Sequence, residues 1–131
     1  MASELRVNTL KDAAGANSVA MEYVAGGSAK AWANINGDAA TIRDSLNASS
    51  MTDDGTGLYY FTYTNAMGNS NYCGLSTTNV DGSQIICNLG EVSATYEQTT
   101  ARTARNVSTR RDNGSANDTL WTNIMSMGDL A

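Results

Sequence analysis

The sequence predicts an all-β fold: a β-sandwich or jelly-roll-like knob preceded by a short extended N-terminal arm. Three observations predict it. Thr, Asn, Ser and Gly make up 54 of 131 residues, a composition of β-branched and turn-forming positions. Apolar and polar residues alternate in short stretches bounded by Gly, Asn and Asp, with no sustained helical period. The chain has no Pro, so each strand can donate its full row of amides to a ladder. Pattern alone leaves a sandwich, a jelly roll and a small barrel open.

Residues 1–27 read as an arm or stalk, and residues 28–131 as the β-rich domain. Leu5, Val7 and Thr9 share one side of an extended segment. The stretch Asp12-Ala-Ala-Gly-Ala-Asn-Ser18 has little packing power, and Met21-Glu-Tyr-Val24 reads as a short strand before Gly26-Gly27. A first pair of strands of the same domain is the alternative to an arm, and a short helix within 29–33 is a weaker option.

The domain then repeats its strand signals. Ala31-Trp-Ala-Asn-Ile-Asn36 alternates and stops at Gly37-Asp38, and Thr41-Ile-Arg-Asp-Ser-Leu-Asn47 follows. Asp53, Asp54, Gly55 and Gly57 form a turn cluster. Leu58-Tyr-Tyr-Phe-Thr-Tyr-Thr64 is the strongest strand. Its alternation places Tyr59, Phe61 and Tyr63 on one face as core, and Tyr60, Thr62 and Thr64 on the other. Residues 65–71 read as a loop. Strands at 72–77 and 84–88 flank the hairpin signal Asp81-Gly82. Strands at 92–96, 102–109 and 120–127 complete the domain, with a loop at 112–118. Trp32 and Trp121 read as core or subunit-contact residues.

One domain fits this length. Hydrophobic residues are 41% of the chain, but many are Ala and only one is Phe. The expected core is thin, which favours association of copies. The net charge of −5 and the lack of a concentrated basic surface exclude nucleic acid as the expected partner. The N-terminus lacks the pattern of a secretory signal, and no window matches a membrane span. Cys73 and Cys87 are expected as free, buried thiols, with a pairing across the hairpin centred near Val80 as the alternative. Two thiols without His give no zinc site, so neither metal nor cofactor is expected.

Catalysis is not expected. The chain has no His to poise near neutral pH, and its Ser, Thr and Cys residues lack a base. Carboxylate pairs could still cleave glycans, with Asp53, Asp54, Asp112 or Asp118 across a cleft. Turn chemistry accounts for the same residues more simply.

Ser3-Glu-Leu-Arg-Val-Asn-Thr-Leu-Lys-Asp12, Ala31-Trp-Ala-Asn-Ile-Asn-Gly37, Ile42-Arg-Asp-Ser-Leu-Asn-Ala-Ser-Ser50 and Asp54-Gly-Thr-Gly57 carry a resemblance. They resemble the distal region of tail-fibre proteins of tailed bacteriophages. The resemblance continues through the Tyr-rich strand to Met67 and returns weakly at 106–119. It implies a virion surface protein, assembled in the host cytoplasm, with a homotrimeric β-rich knob and host attachment as its role. Leu5, Val7 and Leu10 would then be arm residues buried between chains. Asn69, Asn71, Asp81, Asp112, Asn113 and Asp118 would be loop contacts to a host glycan or protein. The family's fibres are long and carry a separate domain that plugs into the tail. Here the knob-like sequence follows Met1 almost directly, so the expected anchor is a tail or capsid protein. A capsid decoration protein or head fibre is the alternative.

Overall fold

The computed structural model describes residues 6–79, 85–89, 97–110 and 114–131. It is mostly β. A small antiparallel pair comes first, β1 (Thr9–Lys11) with β2 (Ser18–Ala20), followed by one helix, α1 (Met21–Gly27). Eight strands follow: β3 (Ala29–Asn36), β4 (Thr41–Leu46), β5 (Ala48–Asp53), β6 (Leu58–Tyr63), β7 (Cys73–Asn79), β8 (Ile85–Leu89), β9 (Asn106–Arg110) and β10 (Trp121–Met127). They form two four-stranded antiparallel sheets. The first has the order β4-β3-β10-β7 and the second β5-β6-β9-β8.

The core lies between these sheets. In β6 the buried positions are Tyr59, Phe61 and Tyr63, so the expected aromatic face is the inner one. Against them β3 turns Ala31, Ala33 and Ile35, and β10 turns Ile124. The alanines matter: small residues on one sheet leave room for rings from the other, which keeps packing dense. Phe61 and Tyr63 meet edge to face at 5.5 Å, and Tyr63 meets Tyr72 likewise at 5.8 Å.

The tyrosine hydroxyls do not stay unsatisfied inside this core. The Tyr63 hydroxyl shares a 2.8 Å hydrogen bond with the Ser126 hydroxyl of β10, which crosses from sheet to sheet. The Tyr72 hydroxyl donates to the Arg102 carbonyl at 2.7 Å. Buried polar groups are tolerated when paired in this way.

The chain changes sheet between β4 and β5 at Asn47. Its φ of 55° lies in the left-handed region, where Asn is more at ease than most residues. Its side chain clamps the neighbouring loop: Asn65 donates its backbone amide to Asn47 Oδ1 at 2.7 Å, and Asn47 Nδ2 donates to the Asn65 carbonyl at 3.0 Å.

Four expectations need correction. Met21–Gly27 is a helix, not a strand; Glu22 in its first turn suits the helix dipole, and two glycines close it. The arm is thus a hairpin plus a helix, not simply extended. Residues 48–53 form β5, which the sequence reading passed over because Ala-Ser-Ser-Met-Thr-Asp lacks strand-forming bulk. Ser50 compensates by sharing a 2.6 Å hydroxyl contact with Thr62 of β6. Lastly, β7 and β8 lie in different sheets and make no hairpin ladder. Cys73 pairs in register with Met127, Cys87 with Ser108, and Cys73 is a free thiol that is exposed, not buried. The turn at 81–82 and the strand at 92–96 lie outside the described residues.

Phe61 is fully buried between the sheets. Phe61→Ala is expected to lower unfolding stability by about 3–5 kcal/mol, read from urea denaturation. A loss under about 1 kcal/mol would contradict the shared core.

Candidate functional site

Strand register fixes two ends of the domain. Ile35 faces Thr122 and Ala29 faces Met127, so β3 rises from the arm and finishes beside the start of β10. At the far end sit the connections 37–40, 54–57 and 114–120. At the arm end sit Asn47, the loop 64–72 and the C-terminal residues, joined by the Met67–Leu130 bridge and the Gly68 amide donating to the Asp129 carbonyl.

A knot of hydrogen bonds organises the far end. Asp118 Oδ1 accepts from the Gly57 amide at 2.7 Å and from the Tyr59 hydroxyl at 2.5 Å. Gly57 has φ +72°, and a Cβ there would sit 2.5 Å from the Ser108 carbonyl oxygen. Gly37 approaches so closely that a Cβ would lie 2.4 Å from the Tyr59 hydroxyl oxygen. The Gly37 amide also donates to the Thr119 carbonyl at 2.9 Å. Burial, then the Asp118 carboxylate, pushes the Tyr59 phenol well above its ordinary value, so it remains a donor. Beside this knot Arg105, itself buried, pairs with Asp54. Asp53 Oδ1 accepts the Gly55 amide at 3.0 Å and closes the turn.

The described carboxylates among those singled out in the sequence, Asp53, Asp54 and Asp118, therefore have structural work. Asp54 neutralises a buried guanidinium, and Asp118 ties two loops to β6. Among the described residues no three His, Cys, Asp or Glu side chains gather as a metal site. No helix among them is long and apolar enough to cross a membrane.

The proposed contact residues do not converge. Asn69 and Asn71 are exposed in the arm-end loop, where the Asn71 amide donates to Asn69 Oδ1 at 2.7 Å. Asp118 is at the opposite end and half-buried, so it is a strut of its loop more than a reaching group. Asp81, Asp112 and Asn113 lie outside the described residues, as does Leu5. Val7 and Leu10 are exposed, Leu10 on β1 opposite Val19.

The sequence reading missed a surface. The outward face of the first sheet aligns Leu46, Trp32, Met125 and Leu75 in register across all four strands. Leu46 is 48% exposed and Leu75 47%. A groove of about 340 Å³ opens there, with Trp32, Leu75 and Met125 in its wall. A polar row runs beside it, with Asn34 donating to Asn123 at 2.6 Å. Trp121 stands further along, 44% exposed, with the Arg43 guanidinium 4.0 Å over its ring. Trp32 and Trp121 are thus outside the inter-sheet core. Their strands alternate with either face plausible, and only the cross-strand register reveals that four apolar residues form one row.

The chain matches no protein-family profile, no curated protein and no solved structure.

Two outcomes are expected from the tyrosine network. Burial also raises the Tyr63 and Tyr72 phenols above their ordinary value. All three folded values exceed the unfolded one near 10, so this stability is whole below that pH and drains away as pH rises above it. Phenolate absorbance of these three tyrosines should therefore appear only together with loss of circular dichroism; ionisation ahead of unfolding would contradict it. Tyr59→Phe removes a hydrogen bond to a carboxylate and should cost about 1.5–3 kcal/mol. An unchanged urea midpoint would mean that the knot holds nothing.

Proposed function

We propose that this chain is a bacteriophage virion structural protein: a tail-fibre-like, homotrimeric knob that attaches particles to a host. The observation that carries the reading is the resemblance of residues 31–67, which supply β3, β4, β5 and β6 and most of the inter-sheet aromatic core. The domain that carries the resemblance is thus the folded scaffold, with polar loops at both ends. Loops rich in Asn, Ser and Gly suit adaptable hydrogen bonding to a glycan or protein. Weak contacts of this kind add up when copies are displayed together on one particle.

The far-end connections are the better candidates for the outward surface, because the arm enters at the other end. That assigns Asn69 and Asn71 to the arm side and leaves the surroundings of residues 114–117 for the host. Asp54 and Asp118 are held in structural bonds, which speaks against their use as a catalytic pair. One observation favours the second reading, a capsid decoration or head-fibre protein. The loop around Asp118 is knotted into the body, which leaves fewer free groups for a receptor.

Quantitative mass spectrometry of purified particles tests the reading through the copy number of this chain against the major capsid protein. A few copies per particle are expected for a tail-borne knob. A number comparable to the capsid protein would replace attachment with decoration. Absence from the particle would overturn both.

A further inference from the structure

Two separate parts of this chain leave large apolar side chains in water. One is the arm. Every residue from 6 to 19 is exposed and none from 6 to 30 is buried. Leu10 and Val19 face each other across β1 and β2 as an uncovered apolar pair, and Tyr23 of α1 is 70% exposed. A lone two-stranded hairpin with no covered face is marginal in water. The other part is the row Leu46, Trp32, Met125 and Leu75 with its groove on the first sheet.

We propose that the hairpin of one copy docks into this groove on a second copy. The arm does not cover its own domain, since its residues stay exposed. Charge favours the arm over another domain as the occupant. Residues 28–131 hold six Lys and Arg against ten Asp and Glu, so two domains repel each other. Residues 1–27 hold Arg6 and Lys11 against Glu4, Asp12 and Glu22, a net charge of only −1. The arm is therefore the apolar element that reaches the groove at least electrostatic cost. The contact joins two different surfaces, so it is head to tail, and such contacts form a closed ring when the rotation between copies closes. A ring of three has every arm and every groove filled. The inference rests on the multi-copy part of the proposed function and is independent of the virion.

Sedimentation equilibrium of the full chain at micromolar concentration tests it, using Leu10→Asp, Leu75→Asp and their mixture. Both positions are exposed, so circular dichroism should stay native. The unaltered chain is expected to be an oligomer and each variant a monomer. The mixture should regain a heterodimer, because one variant keeps its arm and the other its groove. Val19→Asp repeats the arm test from the opposite strand. A monomeric unaltered chain would overturn this contact and the multi-copy reading together. An oligomer that persists in either variant, or a mixture that stays monomeric, would overturn this contact alone.

Discussion

The carboxylate of Asp118 is the constraint on which the far end of the molecule depends. It holds the Gly57 amide and the Tyr59 hydroxyl at once, and so joins the β5–β6 turn, the loop before β10 and an inner strand of the second sheet. The glycines around it follow from that choice. A side chain at Gly37 or Gly57 would occupy the space that the phenol and the neighbouring carbonyls fill. Because Tyr59 crosses the core to reach Asp118, one ring serves packing and loop anchoring together. Polar connections rich in Asn and Ser have little else to fix them, so a charge-assisted bond carries weight here.

The same economy shapes the rest of the domain. The large apolar residues are divided between an inner core and an outer row. The inner face of β3 is alanine-rich, and rings from β6 and Tyr72 fill the gap, with hydroxyls of Ser126 and the Arg102 carbonyl receiving their polar ends. The outer face of the same sheet keeps Trp32 and Met125 where a monomer gains little from them. An apolar row left uncovered on an outer face carries a cost in solubility. The arm repeats the pattern, since its apolar residues also find no cover within one copy.

Much of the fold was legible because alternation speaks directly about faces. Tyr59, Phe61 and Tyr63 fell on the inner side as their spacing required, and β3, β4, β6 and β10 lie within a residue or two of their expected limits. Other features were invisible for physical reasons. Strand β5 is stabilised by hydroxyl contacts to Thr62 and by Ala48 and Met51 packed against the core, which propensity alone understated. Segment 21–27 could satisfy its backbone as strand or helix, and local pattern does not decide between them. The candidate surface was least legible. Leu46 and Leu75 are far apart in the chain and meet in one row only through Trp32 and Met125. Likewise, nothing local announces that Asn69 and Asp118 belong to opposite ends, because only the ladder register sets direction.

Strand β10 lies between β3 and β7 in the first sheet, although it is the last strand in chain order. The central position is thus filled only after the other three strands of the sheet have been made. Until residue 127 has left the ribosome, β3 and β7 have no partner between them, and their inner edges stand open. Until β10 arrives, the nascent chain must hold a Trp-bearing, amide-rich edge apart from others of its kind. Pairings across so long a sequence separation also close slowly. The order of strands makes residues 121–127 the segment whose arrival closes this sheet and covers both of those edges.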